Sequence, residues 1–434
     1  MFQTKRLADG VQLHLWPTDK FKTVTCRIYV QTALENNTTL TALVPMVVSR
    51  GSAKFPTMQA IAAHLSDLYG ARFGCDVIKI GERHCVDYYF EMASGTYVGE
   101  GPGLIDKGMA TLGDLITRPR VEGDGFYAPY VEQEKTNLEN RIRSLIDNKR
   151  GYALQRFYET MFSGEPFATY RYGTIEELAD ITHQGLLEHY REIMAHSPMD
   201  IFVVGDVQPS ALENRWASDL AELRDGYQPL PATGKWLPPG EVREVREVGD
   251  LQQGILFLGY RTPITYRSPD YYKLLVYSGV LGGFPHAKLF TNVREKASLA
   301  YYVSARVDAT KGFLMINAGI HPNQYDQAVE IILQQVEEMN QGMISLDELE
   351  KTKQGLINGF LTMGDSAIAI IDRGIVEITN GVRRDMEQVI AAIRAVTVQD
   401  LVEQGRQLKL DTIYFLQGQA LADSAGAAMA GKEI

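Results

Sequence analysis

The sequence repeats the order of its predicted secondary structure, and this repetition constrains the fold more than any other feature. Alternating apolar and polar residues predict a strand pair over residues 11–15 and 23–31, followed by helices, two more strands and a last strand over 200–204. A strand over 254–260 opens a second series of the same order, which closes within 386–418. The repetition predicts an α+β fold of two homologous halves, each a mostly antiparallel sheet with helices packed on one face.

A stretch rich in proline, glycine and charged residues lies between the two series. This stretch, residues 227–249, has the composition of a linker. The prediction is therefore an N-terminal half over residues 1–226, a linker over 227–249 and a C-terminal half over 250–434.

Composition and charge exclude several classes of function. The chain has 434 residues, of which 45% are hydrophobic, so it can form two or more domains with real cores. A net charge of −11 argues against a nucleic-acid partner, because phosphate binding needs clustered Lys and Arg. We find no apolar run of signal-peptide or membrane-spanning length, and the three cysteines form no C-x-x-C motif. These features predict a cytoplasmic protein without a membrane partner.

The segment over residues 281–302 contains the candidate binding residues. Gly282 and Gly283 interrupt the chain, a basic helix is predicted over 288–296, and a strand follows. Arg294 and Tyr301 are seven residues apart, so on a continuous helix they would point in nearly the same direction. The alternative reading is a solvated arginine and a half-buried tyrosine, which are the usual positions of these residue types.

The run F-T-N-V-R-E-K-A-S-L-A-Y-Y, preceded by Gly-Gly and H-A-K-L-F, resembles the C-terminal signature of the pitrilysin/insulinase superfamily. That superfamily includes the mitochondrial processing peptidases. R-G-S and F-P-T, near residue 50, and the segment 164–173 resemble further landmarks of the same family. The resemblance implies two α+β halves that close like a clamshell on a peptide. It also implies that Arg294 and Tyr301 bind the substrate backbone, while Gly282 and Gly283 let that backbone come close.

The zinc motif of the family, H-x-x-E-H, is missing from this chain. In that motif two histidines one helical turn apart bind the metal and the glutamate activates water. Counting back from R-G-S places the motif on Ala42, Pro45 and Met46, which cannot do either. No two of the eight histidines are four residues apart, so we expect no metal and no cofactor in this chain.

The family's additional metal-binding glutamate would fall on the helix that carries three glutamates of this chain. Without histidine partners, they are read as an acidic, solvated helix face. These residues are Glu132, Glu134 and Glu139.

The combination predicts a non-catalytic, substrate-binding subunit of a heterodimeric zinc endopeptidase. A homologous partner with H-x-x-E-H would supply the zinc, and the substrate would be a peptide, with peptide maturation the favoured process. Two alternatives stay open, a purely structural protein of the same fold and a peptidase with a divergent metal site. Expressed alone, the chain is expected to be inactive and able to form a homodimer.

Overall fold

The computed structural model of the protein describes residues 2–35, 37–101, 103–221 and 223–418. Residues 419–434 of the predicted C-terminal half therefore lie outside the described residues. The strands are β1 Gln3–Ala8, β2 Val11–Pro17, β3 Thr23–Ala33, β4 Arg72–Ile80, β5 Arg83–Ala93, β6 Val121–Glu122, β7 Gly125–Phe126, β8 Met199–Gly205, β9 Arg243–Gly249, β10 Gly254–Arg261, β11 Ala300–Asp308, β12 Phe313–Ile320 and β13 Lys409–Gly418.

The α-helices are α1 Thr38–Val48, α2 Met58–Asp67, α3 Gly95–Val98, α4 Gly103–Thr117, α5 Ala128–Arg143, α6 Lys149–Met161, α7 Ile175–Ala179, α8 His183–His196, α9 Pro209–Ala221, α10 Tyr271–Ser278, α11 Tyr325–Asn340, α12 Leu346–Met363, α13 Ala367–Asn380, α14 Met386–Ala395 and α15 Val398–Gln407. Two π-helices, Gly279–Gly283 and Phe290–Lys296, lie between α10 and β11. None of the helices in the described part of the chain combines the length and the apolar character needed to cross a lipid bilayer.

The described residues divide into two compact units, and each unit includes one segment from the other half of the sequence. We call these two segments the exchanged segments. Unit 1 is formed by the described residues of 1–144, 169–233 and 363–379. Unit 2 is formed by the described residues of 145–168, 234–362 and 380–434. Helix α6 therefore belongs to unit 2, whereas α13 belongs to unit 1.

The sheet of unit 1 has six strands in the order β1-β2-β8-β3-β5-β4. All neighbours are antiparallel except β2 and β8, which are parallel. The predicted pairing of residues 11–15 with 23–31 is wrong, because β8 lies between these two strands. All seven residues of β8 are buried, as expected of a central strand. Strand β2 pairs instead with β1 through the turn at Gly10, whose φ is 68°.

Both faces of this sheet are covered. Val24, Cys26 and Ile28 point into the main core with α1, α4 and α8, whereas Tyr29 points to the opposite face. On that opposite face, Tyr29 packs with the apolar residues of α13. The Arg27 guanidinium of β3 also donates a 2.5 Å hydrogen bond to the Asp372 carboxylate of α13.

The sheet of unit 2 has five strands in the order β11-β12-β10-β13-β9. Only β13 and β9 are parallel among these neighbours. Leu256 and Leu258 of β10 face the core built with α10, α11, α14 and α15, whereas Ile255 and Phe257 face α6. The predicted α+β class with mostly antiparallel sheets is thus confirmed, and each unit gains one helix on the second sheet face.

A buried ionic network fixes the end of α6 to the sheet of unit 2. The Arg261 guanidinium donates to the Met161 carbonyl at 2.5 Å, to Glu165 at 2.6 Å and to Asp411 at 2.7 Å. The Lys311 ammonium donates to the second oxygen of Glu165 at 2.6 Å. Burial alone would raise the pKa of Glu165, but the hydrogen bonds from Arg261 and Lys311 outweigh it and hold this pKa below its usual value.

Candidate functional site

Helix α1 carries the three positions at which the resemblance places the zinc motif. Ala42 is 1% exposed and belongs to the apolar core, and Pro45 is also buried. Met46 is half-buried and packs against the same core. The helix continues through Pro45, whose carbonyl accepts a hydrogen bond of 3.1 Å from the Cys75 thiol. These positions offer no imidazole nitrogen and no carboxylate oxygen to a metal.

The reading of three solvated glutamates on α5 is wrong for Glu134. Its side chain is buried, with the residue 4% exposed, and it forms an ion pair with the Arg50 guanidinium. The Asn137 amide donates a further hydrogen bond of 3.1 Å to the same carboxylate. A buried carboxylate needs such partners, since an unpaired charge in the interior is costly. Arg50 lies just after α1, so its guanidinium is the cation that pairs with Glu134 of α5.

The donor set of this region does not fit zinc. The motif positions lack ligand atoms, and the Glu134 carboxylate already accepts hydrogen bonds from Arg50 and Asn137. Within the described ranges, no three His, Cys, Asp or Glu side chains are grouped so that they could hold a metal ion.

The segment before β11 contains a π-helix where the sequence predicts an ordinary helix. The Ala297 N–H donates to the Asn292 carbonyl, five residues back, at 3.2 Å. Such π-helical turns are rare and are frequent at functional sites. The helix ends at Lys296 and Tyr301 lies in a strand, so the argument that Arg294 and Tyr301 share a direction on one continuous helix is wrong.

Arg294 lies in the last turn of this π-helix. Its guanidinium is exposed, with its central carbon 4.6 Å from the centre of the Phe290 ring. Ser298 then turns the chain with a φ of 55°, a left-handed conformation that is uncommon for residues with a side chain. This turn leads into β11, against which the π-helix packs.

Tyr301 is the extra residue of a β-bulge at the start of β11. Ala300 pairs with Ile320 and Tyr302 pairs with Gly319, so Tyr301 has no direct partner in this ladder. A bulge redirects a side chain, and Tyr301 is 66% exposed. Among the described residues, β11 has a strand neighbour on one side only, so Tyr301 lies on the edge strand of the sheet.

Gly282 and Gly283 have different surroundings. A Cβ atom on Gly282 would lie 2.6 Å from the backbone nitrogen of Ala305, so this glycine permits close packing of the first π-helix on β11. A Cβ atom on Gly283 would meet its nearest neighbour, the Ser278 carbonyl oxygen, at an ordinary 3.6 Å. Gly283 is also exposed, whereas Gly282 is buried.

The structure adds Arg150 to the residues around β11. Its guanidinium carbon lies 4.9 Å from the centre of the Tyr302 ring. The two residues are far apart in the sequence, so no local motif connects them. Arg150 starts α6, and only the packing of α6 on the sheet of unit 2 brings it to this strand.

The site therefore combines exposed cationic and phenolic groups with the open edge of a strand. An edge strand presents unpaired backbone N–H and C=O groups at which an extended peptide can add as a further strand. Arg294 can donate several hydrogen bonds to carbonyl or carboxylate oxygens, and Tyr301 can donate one. None of these described side chains is a carboxylate or histidine that could activate water, so the arrangement offers hydrogen bonds to a peptide and no general base.

Comparison with known proteins agrees with the absence of the zinc motif. Residues 180–356 match the family model described as the peptidase M16 inactive domain. A probable inactive metalloprotease of Bacillus subtilis, YmfF, is 35% identical over 96% of this chain and 98% of its own length. The solved structure of a conserved protein from Enterococcus faecalis is 30% identical, with a TM-score of 0.88 over 96% of this chain and 99% of that one.

A more distant relative has a name that refers to the biosynthesis of a bacteriocin. The antilisterial bacteriocin subtilosin biosynthesis protein AlbE of Bacillus subtilis is 24% identical over 69% of this chain and 73% of its own length. The full-length similarity to YmfF, the inactive-domain match and the missing zinc ligands all lead to one assignment. The chain belongs to the M16, or pitrilysin/insulinase, peptidase family, as a non-catalytic member.

Proposed function

We propose that this protein is the substrate-binding subunit of a two-chain zinc endopeptidase that processes peptides. The observation that supports this best is the bulge that leaves Tyr301 66% exposed on the edge strand β11, next to the π-helix that contains Arg294. A bulge with an exposed aromatic side chain is not needed for the core, because Val303 and Ala305 supply the apolar contacts of β11. The same chain lacks every ligand of the zinc motif, so catalysis would depend on a second, homologous subunit.

In this proposal the substrate lies extended along β11. The Arg294 guanidinium donates hydrogen bonds to carbonyl oxygens of the peptide, and the Tyr301 hydroxyl donates to the carbonyl of the bond that is cut. A donor at that position stabilises the negative oxygen that develops in the transition state. The partner subunit supplies the zinc and the glutamate that activates water.

The process that we favour is the maturation of small peptides. The name of AlbE refers to the biosynthesis of a bacteriocin, and its similarity to this chain supports such a process without identifying the substrate. Cleavage inside the cytoplasm belongs to the same proposal.

The proposal is tested by co-expressing the chain with a homologue that carries H-x-x-E-H and assaying a quenched fluorescent peptide. Cleavage should require both chains. Arg294→Ala and Tyr301→Phe should each raise the barrier by roughly 2 to 4 kcal/mol, as the loss of an oxyanion donor does. The matched controls are Arg191→Ala and Tyr97→Phe, two exposed residues of unit 1.

Two results would contradict the proposal. One is unchanged cleavage in both site variants while their thermal unfolding stays normal. The other is the cleavage of the peptide by the purified chain alone with stoichiometric zinc, which would favour a divergent metal site. A chain that binds no peptide and supports no cleavage with any homologue would favour a structural role.

A further inference from the structure

Three arginines surround the edge strand β11 without a carboxylate partner among the described residues. Arg150, Arg294 and Arg306 are exposed, and the ion pairs of the described part of the chain include none of them. The protein as a whole is acidic, with 54 Asp and Glu residues against 43 Lys and Arg residues. A cationic site on an acidic protein is a feature that the overall charge does not explain.

Two of these arginines lie on the same face of the sheet. Alternation along β11 puts Tyr302, Ser304 and Arg306 on the face opposite the core residues Val303 and Ala305. The Ser304 hydroxyl confirms this face by its hydrogen bond of 2.8 Å to Asn317 on the neighbouring strand. Arg150 lies over the Tyr302 ring on that face. Since four residues of a strand span roughly 13 Å, Arg150 and Arg306 mark two separate positions along β11.

Carboxylates that lie near these arginines in the sequence do not neutralise them. The side chain of Asp308 accepts a hydrogen bond of 2.9 Å from the Lys311 backbone at the turn after β11. Glu295 follows Arg294 in the π-helix and is exposed to solvent. In the described part of the chain neither forms an ion pair with Arg150 or Arg306, and Asp147, three residues before Arg150, forms none either. Both arginines are exposed to solvent.

We propose that the polypeptide that pairs with β11 is acidic, with two carboxylate side chains about four residues apart on one face. This inference rests on the proposed function and names the class of substrate that the site prefers. Side chains on one face of an added strand follow the same spacing as those of β11, so residues four apart would reach Arg150 and Arg306 together. Arg294 remains available for the peptide backbone.

A polypeptide strand fits this surface better than the other anionic or strand-like candidates. The open hydrogen-bonding groups of β11 match the backbone of an extended peptide, whereas a nucleic acid has no strand edge to pair with them. A second copy of this chain that paired through its own β11 would bring the same arginines together, and like charges repel.

The test compares two short, fluorescent, strand-forming peptides by anisotropy with the full chain. One carries two glutamates four residues apart, and the other carries glutamines at the same places. At low salt the glutamate peptide should bind about fivefold to tenfold more tightly, as expected of two exposed ion pairs. Arg150→Gln and Arg306→Gln should each reduce this ratio, and the matched control Arg191→Gln should leave the ratio intact. About 300 mM salt should lower the ratio toward one.

The outcomes separate this inference from the function on which it depends. Equal affinity for both peptides, or a ratio that survives Arg150→Gln and Arg306→Gln, would overturn the acidic preference and leave the peptide-binding function standing. Binding of neither peptide would overturn both. Prolines in the peptides prevent them from pairing as a strand, so a preference for glutamate over glutamine that persists in proline-containing peptides would refute the docking on β11. Tighter binding of single-stranded nucleic acid than of the glutamate peptide would refute it as well.

Discussion

Gly282 and Gly283 are adjacent residues with different predicted tolerance to a side chain. Gly282→Ala should lower the free energy of unfolding by about 1 to 3 kcal/mol, because its Cβ would collide with the Ala305 backbone nitrogen at 2.6 Å. Gly283→Ala should change it by no more than about 0.5 kcal/mol, as for other exposed positions. Chemical denaturation of both variants checks this difference. Equal losses would show that the packing of the π-helix on β11 does not depend on Gly282.

The same pair also tests the approach of a peptide. If the substrate backbone comes close to Gly283, Gly283→Ala should reduce cleavage in the two-chain assay although the fold is intact. Gly282→Ala cannot test the approach of a peptide, because this substitution disturbs β11 itself.

His84 makes stability depend on pH. The residue is 0% exposed, and burial lowers its pKa from 6.5 to about 4. The unfolded chain therefore binds a proton between these two values where the native state does not, so stability is complete above pH 6.5 and falls as the pH drops toward 4. The full loss is about 3 kcal/mol.

Urea unfolding at several pH values checks this prediction. His84→Gln should flatten the decline between pH 6.5 and pH 4, whereas His321→Gln, at an exposed histidine, should not. A decline of the same slope in His84→Gln would assign the effect to other groups, including His189, whose pKa burial also lowers.

The sequence shows that the zinc ligands are missing, but it does not show which side chains pair with one another near those positions. The family resemblance places the zinc motif on Ala42, Pro45 and Met46, whose side chains lack the necessary atoms whatever the fold. The partner of Glu134 could not be read in this way. Arg50 and Glu134 are 84 residues apart, and their pairing depends on the packing of α1 against α5.

At the scale of elements, the ionic network around Arg261 is expected to hold α6 on its sheet. Arg261→Met should reduce the free energy of unfolding by about 3 to 5 kcal/mol, because it leaves Glu165 and Asp411 buried without this partner. Arg143→Met removes an exposed pair with Glu139 and should cost no more than about 0.5 kcal/mol. Thermal unfolding of the two variants measures the difference, and equal midpoints would contradict a structural role of the network.

The network also predicts a dependence on acid. The pKa of Glu165 is held below its unfolded value of 4.5, so this contribution is present above pH 4.5 and is lost as the pH falls through the native value. In Arg261→Met the stability should therefore decline less steeply in this acidic range than in the unaltered protein.

Local patterns predicted most elements, and the failures have physical causes. Period-two alternation predicted β2 and β3, because each strand has a face in the core of unit 1. The sequence pattern also predicts one helix over residues 175–195, but the structure has two helices there, α7 and α8. The Thr182 hydroxyl accepts a hydrogen bond from the Gly185 N–H and so starts the second helix. Strand β9 lies inside the predicted linker. Its charged residues obscure the alternation of apolar and polar residues that would indicate a strand.

At the scale of the whole molecule, the exchange of segments predicts that the two sequence halves do not fold alone. A chain that ends at residue 233 would lack α13, which covers Tyr29 and Phe202, and would carry α6 without the sheet on which it packs. Each fragment should therefore fail to unfold cooperatively when expressed by itself. Co-expressed fragments 1–233 and 234–418 should associate and recover one transition by calorimetry. A cooperative transition in either isolated fragment would contradict this prediction.

The repeat in the sequence predicted two similar halves, but it could not predict the exchange. Periodicity reports which residues of α6 and α13 are apolar and not which sheet they cover. The boundaries 1–226, 227–249 and 250–434 stay a prediction about the repeat, whereas the compact units follow the contacts.

The open edge of β11 also affects how this protein avoids aggregation. An exposed strand edge invites identical chains to stack on it, and natural proteins restrict this with charges and bulges. The Tyr301 bulge interrupts the regular ladder at one end of the strand, and Arg306 places a positive charge further along it. Replacing Arg306 with a neutral residue would therefore remove a barrier to fibril-like assembly along the strand to which we propose that a peptide binds.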